Sequence, residues 1–304
     1  MSHVSLCFRG LGARFFSLRA RSKPLGAGQD FRTSKGQWCG LAAHHGGGGV
    51  KQLLIYEQPL VLNRLQHRHL RIKPVLDSFG FAGALNSVPL TTTEFAQAAR
   101  DYPIVFAGEG AAPDDTQEHS AGMPAALLGL SRDDNLFVEA DGRWAADAYV
   151  PAFLRRYPFV VANQDASPEN FTVCVDTPFL AGGDDGLKLF EDSGEDAPAL
   201  KRALGFLADY QAAVQRTQSF MQQLRESKLL VPKTIKVEQP GSQAQTLSGF
   251  HVVDETRLQK LSGKDLAKLS KTGALGLIYA HVMSLSNVQR LSARLDARSS
   301  APRH

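Results

Sequence analysis

Three arginines set among aromatic and proline residues form the densest concentration of binding chemistry in this chain: Gly142-Arg143-Trp144, then Tyr149-Val150-Pro151-Ala152-Phe153-Leu154-Arg155-Arg156-Tyr157-Pro158-Phe159. Guanidinium groups present paired N–H donors to carboxylates and phosphates and also lie flat on aromatic rings. Arg143, Trp144, Tyr149, Arg155, Arg156 and Tyr157 are therefore the candidate contacts for an anionic or peptide ligand. The competing reading is structural, with these arginines paired to Asp133, Asp134, Glu139 or Asp147 and the aromatics filling a core. The density of Pro and Tyr weighs toward that second reading.

Other chemistries find less support. His67 and His69 are spaced to put two imidazoles on one face of a strand, but Arg64, Arg68 and Arg71 surround them with positive charge and no Cys or carboxylate stands near, so they are weak metal candidates. Cys174 is the only cysteine after Val50 and reads as a packed thiol on an apolar strand. His281, on an apolar helical stretch, reads as a buried polar residue with a bonded partner. His251 and Asp254 lack the spacing of a facial iron triad. The phosphate-loop, dinucleotide, nucleophile-elbow and zinc-protease motifs are all absent, and the carboxylates in Gly182-Gly183-Asp184-Asp185-Gly186 would repel a phosphate. No cofactor is expected. The enzymatic alternative is a fold that gathers His67, His69, Arg155, Asp176 or His251 into a site for modifying a peptide or small molecule.

The elements that must position these residues can be read from hydrophobic spacing. Apolar runs at 53–56, 60–62 and 70–75 around Pro59 predict two or three short strands. Thr91-Thr92-Thr93 supplies capping hydroxyls for a short helix that stops at Tyr102-Pro103, before a buried strand of Ile104-Val105-Phe106-Ala107. The pattern returns 55 residues later as Tyr157-Pro158-Phe159-Val160-Val161-Ala162, which predicts a second, equivalent helix-to-strand junction packed in the same sheet. Asp141-Gly142 joins 135–139 to 143–145 as a hairpin. Alternation puts Phe171, Val173 and Val175 on one face and Thr172, Cys174 and Asp176 on the other, the pattern of a half-buried strand.

Residues 187–190 resume a strand, and Pro198 opens the strongest helix, in which Leu200, Leu204, Leu207, Val214, Met221 and Leu224 recur at helical intervals. Pro232 is expected to end what continues through 229–230. Strands over 234–238 and 246–253 flank Pro240-Gly241, and a helical tail starts at Asp254. Residues 272–289 carry no charge, yet Thr272, His281, Ser284, Ser286, Asn287 and Gln289 make them too polar for a membrane span. Together these elements predict an α+β fold: a mixed, mainly antiparallel sheet built largely from the N-terminal part, with C-terminal helices packed on it.

Composition permits such a fold, at 43% hydrophobic and 21% charged residues. The formal charge of +4 belongs to one end, because residues 1–49 hold seven cations and one anion, a balance of +6, which leaves −2 for 50–304. Nucleic acid is accordingly not an expected partner. Residues 1–49 also lack hydrophobic periodicity and hold ten of the 27 glycines. They are expected to be a disordered or spurious upstream extension, with the true start at Val50. The expected domain is 51–295, followed by a disordered tail over 296–304. No secretory-type apolar stretch and no membrane span are recognisable, so a soluble, cytoplasmic protein is expected.

Taken in order, Leu127-Leu128-Gly129-Leu130, Asn135-Leu136-Phe137-Val138, Asp141-Gly142-Arg143-Trp144, Tyr149-Val150-Pro151-Ala152, Tyr157-Pro158-Phe159, Leu229-Leu230-Val231-Pro232 and Gly249-Phe250-His251-Val252-Val253-Asp254-Glu255 resemble the SapC family of bacterial proteins, over about residues 51–290. The resemblance implies association with surface-layer or serum-resistance systems and an accessory role through protein or peptide contact. It also implies companionship with outer-membrane uptake receptors and with oxygenase- or halogenase-like enzymes. It brings no established catalytic residues. The peptide-transporter permease of the same short name is a different protein, since it needs several membrane spans.

Overall fold

The computed structural model describes residues 3–7, 55–74, 78–108, 121–131, 133–162, 172–182, 185–238 and 245–300. Its strands are β1 (His3–Cys7), β2 (Pro59–Val61), β3 (Arg71–Ile72), β4 (Ser87–Pro89), β5 (Ile104–Gly108), β6 (Ala121–Leu127), β7 (Phe159–Val161), β8 (Val173–Asp176), β9 (Leu187–Lys188), β10 (Leu230–Glu238) and β11 (Gln245–Val253). The helices are α1 (Phe95–Ala98), α2 (Ala152–Arg155), α3 (Pro198–Glu226), α4 (Glu255–Gln259), α5 (Gly263–Lys271), α6 (Ala274–Ser284) and α7 (Val288–Ser300). The fold is α+β, with antiparallel sheets of order β1-β10-β11-β5-β6-β4, β2-β8-β7 and β3-β9. The six-stranded sheet draws its β10–β11 hairpin from the C-terminal half, so it is less N-terminal than expected.

Of residues 1–49, only the backbone of His3–Cys7 is described, and it pairs along β10 from Glu238 to Thr234. Val50 lies outside the described residues. At the other end α7 runs to Ser300, past the boundary expected at 295. Arg298 supplies a reason, since its guanidinium donates to Asp134 Oδ1 (2.9 Å) and to the carbonyls of Asn135 (3.0 Å) and Val138 (2.8 Å).

Local chemistry explains the main elements. Thr91 and Glu94 form a capping box, in which Glu94 Oε2 accepts the Thr91 N–H (2.9 Å) and hydroxyl (2.8 Å). Pro198 stands in the first turn of α3, which buries Leu200, Leu207, Tyr210, Ala213, Thr217, Phe220, Met221 and Leu224 along one face. The helix spans two hydrophobic clusters. Its first half (Leu200, Leu207) packs with Phe159, Val161 and Val175, while Phe220, Met221 and Leu224 join the larger cluster around Phe95, Tyr102 and Phe106. The Asp141-Gly142 hairpin forms with Gly142 at φ +82° and a single bridge between Val138 and Trp144.

Four sequence expectations are corrected. The two Tyr-Pro junctions both lead from a short helix into a strand, but β5 lies in the six-stranded sheet and β7 in the three-stranded one. Strand β8 is buried on both faces because Val173 and Val175 join the cluster of Leu200 and Leu207 on α3 while Cys174 packs into the larger cluster, so the alternation at 172–176 does not mark a solvent side. Pro232 does not end a segment; it sits within β10 opposite His251, where β1, paired only with 234–238, leaves an edge that tolerates a missing N–H. His67 and His69 lie in a turn between β2 and β3, with no strand to align them.

His281 is a fully buried bridge. The β5–β11 ladder pairs His251 with Phe106, and two residues further on the same register would bring Val253 opposite Ile104. The imidazole stands between them: Nδ1 lies 2.8 Å from the Ile104 carbonyl and Nε2 accepts the Val253 N–H at 3.0 Å. Ser284, one turn on, accepts the Ile104 N–H at 2.9 Å. Helix α6 thus completes with side chains a ladder that two diverging strands leave open.

Candidate binding site

The Arg143–Trp144 part of the sequence cluster separates from the rest. Arg143 is exposed and held by its own turn, donating from Nε to Asp141 Oδ2 at 2.6 Å. Trp144 is buried, stacked near Phe137 (5.9 Å) and edge-on to Phe79 (5.5 Å), with its indole N–H 3.3 Å from the Tyr102 hydroxyl. Asp134 and Asp147, proposed as partners of the cluster's arginines, bond Arg298 and Arg294 instead.

Tyr149, Arg155, Arg156 and Tyr157 come together where α2 meets α3. Arg155 is exposed. Its Nε donates to the Val150 carbonyl (3.0 Å) and Nη2 to the Tyr149 hydroxyl (2.9 Å), and its guanidinium lies over the Tyr149 and Phe206 rings. Arg156 points inward and is only 5% exposed. Its guanidinium carbon lies 4.3 Å from the Phe153 ring centre, 5.2 Å from Tyr210 and 5.9 Å from Tyr56. Phe206 and Tyr210 are one turn apart on α3, so the seam has an outer layer (Arg155, Phe206) and an inner one (Arg156, Tyr210). The inner layer borders the larger hydrophobic cluster through Phe153 and Tyr56.

Two buried carboxylates frame the seam, and both are fully engaged. Glu94 Oε1 accepts the Ala152 N–H (2.6 Å) and the Tyr149 hydroxyl (3.1 Å), while Oε2 is spent on Thr91. Asp176 accepts the Gln58 N–H (2.7 Å) on Oδ1, and the Glu57 N–H (3.1 Å) and Tyr157 hydroxyl (2.7 Å) on Oδ2. The tyrosines stay protonated at neutral pH. Burial pushes Tyr210 up to about 12 against the opposing pull of Arg156, and burial together with the Glu94 charge pushes Tyr149 up to about 12. Burial also raises Tyr56, where Arg156 again opposes, and Tyr157, which the hydrogen bond to Asp176 raises further. Against this well-bonded frame, Arg156 Nε and Nη2 are buried and have no hydrogen-bond partner among the described residues.

The residues of the enzymatic alternative are dispersed over separate elements. The His67 Nδ1 accepts the Asn63 N–H within its own turn at 3.0 Å, Asp176 is occupied as described, and His251 lies on β11, its Nδ1 buried without a partner among the described residues. Among the described residues, no three His, Cys, Asp or Glu side chains are grouped so as to hold a metal ion, and no helix is long and apolar enough to cross a membrane. A pocket of about 160 Å³ lies elsewhere, between the end of α3 and α5, lined by Gln223, Glu226, Leu261, Asp265 and Lys268.

Sequence reasoning missed Tyr56, Glu94, Phe206 and Tyr210 as members of the seam. The signal for Tyr210 was present, since it occupies the same helical series as Leu207 and Val214 and carries a hydroxyl into it.

No curated protein and no solved structure shows significant similarity to this chain. The SapC family model matches residues 62–291, more than two thirds of the sequence and every seam residue named above except Tyr56, and the chain belongs to the SapC family.

Proposed function

We propose that this protein is an accessory component of a bacterial surface-layer or envelope system that acts by holding a protein or peptide partner at the α2–α3 seam. The observation that carries the reading is the exposed Arg155, stacked on Tyr149 and Phe206 and next in the chain to the aromatic-caged Arg156. Arginine and tyrosine in this arrangement supply large contact area and charge at little cost in side-chain freedom, as interface anchors do. The surface-layer or envelope setting is taken from the family's character. Arg143, exposed on its hairpin turn, is a second contact within this proposal, whereas Trp144 supports the fold beneath it.

The test compares wild type with Arg155→Ala and with Arg143→Ala, each immobilised and exposed to an envelope extract, with circular dichroism as the folding control. Retention of one defined partner that falls roughly tenfold in Arg155→Ala with unchanged dichroism supports the seam. Equal retention by wild type and Arg155→Ala overturns it.

A further inference from the structure

We propose that Arg156 anchors a carboxylate-binding site: its unbonded Nε–H and Nη2–H grip both oxygens of an acidic side chain or C-terminal carboxylate of a peptide. This deepens, and rests on, the reading of the seam as a peptide-binding surface. Nε and Nη2 form one edge of the guanidinium, the edge whose two parallel donors match a carboxylate. The ring faces of Phe153, Tyr210 and Tyr56 crowd around the group, so a planar ligand approaching in the guanidinium plane is the partner it accommodates.

Among the described residues, the buried carboxylates that frame the seam are already committed. Asp176 and Glu94 each have both oxygens bonded elsewhere, and the surrounding tyrosines are neutral hydroxyls. A buried guanidinium with an unfilled fork is costly to keep, and a matching pair of acceptor oxygens removes that cost. Charge selects the class of anion. Asp176 and Glu94 already place negative charge near the tyrosines that flank Arg156, so a singly charged carboxylate is favoured over a phosphate group of nearly two charges. Entry to the buried edge requires seam side chains to move. Arg155, exposed and held by two hydrogen bonds, is the one whose displacement costs least.

The experiment follows the arginine Nε–H signals of the full-length protein by nitrogen-15 NMR. Three blocked tetrapeptides are titrated in turn: one with a single internal glutamate and an amidated end, its glutamine counterpart, and an all-alanine peptide with a free C-terminal carboxylate. Inorganic phosphate is the anion control. The Arg156 Nε–H should move with the glutamate peptide, the free-carboxylate peptide or both, which identifies the source, and stay still with glutamine and phosphate. Arg156→Lys should weaken that binding by roughly tenfold. If the lysine variant fails to fold, the wild-type titration decides alone. Silence toward both carboxylate peptides, an equal response to glutamine, or a peptide-soaked crystal whose fork holds only water overturns the proposal. A silent fork combined with partner capture lost in Arg155→Ala overturns this site and leaves the proposed function standing; a responsive fork with capture unchanged does the reverse.

Discussion

The two Tyr-Pro junctions are built from nearly the same letters and treat the residue before the tyrosine in opposite ways. At the first, Asp101 Oδ2 accepts the Tyr149 N–H at 2.9 Å and its Oδ1 faces Arg290. The Tyr102 hydroxyl donates to the Tyr149 carbonyl, and Asn287 donates to the carbonyls of Ala99 (2.8 Å) and Tyr102 (3.2 Å). His281 and Ser284 complete the first residue of β5. At the second, Tyr157 is equally well seated, bonded to Asp176 and stacked 4.0 Å from Phe81, yet Arg156 beside it keeps two donors unbonded. One junction is saturated from every side. The other is saturated except at the Nε–Nη2 edge of Arg156, so a similar local sequence is fully bonded in one place and, in the other, leaves open the edge proposed for recognition.

The comparison is broken most severely by removing what seats the second tyrosine. Asp176→Ala strands the N–H groups of Glu57 and Gln58 and the Tyr157 hydroxyl, and should cost about 4 kcal/mol by urea denaturation. A loss under about 1 kcal/mol would mean that water replaces the carboxylate without penalty.

Acid should next weaken the first junction. Burial pushes His281 down to about 4 from 6.5, so between these values the unfolded chain binds the proton that the fold refuses. Stability from this residue is therefore present above 6.5 and declines as pH falls toward 4, by about 3 kcal/mol in all. Protonation would also remove the acceptor for the Val253 N–H. Comparing urea midpoints near pH 7 and pH 4.5 in wild type and His281→Gln checks this, since the variant should show a shallower decline.

A smaller contrast separates the tyrosines themselves. Tyr157→Phe gives up a bond to a charged acceptor and should cost about 2 kcal/mol, whereas Tyr102→Phe gives up bonds to a carbonyl and an indole and should cost about 1 kcal/mol. Thermal denaturation of the two variants side by side reads the order directly.

The parts of this arrangement legible in sequence were the local ones. Thr91 with Glu94 announces a helix start, Asp141-Gly142 a hairpin, and the leucine series from 200 to 224 a long helix, because each depends on neighbours within a turn or two. The decisive contacts run across long separations. His281 reaches residues 28 and 177 positions away, and Asp176 reaches Gln58 across 118. Alternation put Asp176 opposite Val173 and Val175 on a half-buried strand, because no local pattern shows that both faces of β8 are packed by distant segments. Arg155 and Arg156 were both marked as candidates, but which one turns inward depends on Tyr56 and Tyr210 from distant segments, and so does the unfilled fork.

The central claim is that Arg156 is kept for recognition, at some expense to the fold. The direct measurement is the urea-denaturation free energy of Arg156→Met, which keeps the side chain's bulk within the Phe153 and Tyr210 rings and removes the unbonded donors. The account predicts stability equal to wild type or higher by about 1 kcal/mol. A loss of about 3 kcal/mol or more would show that the buried charge holds Phe153, Tyr56 and Tyr210 together, and would contradict it.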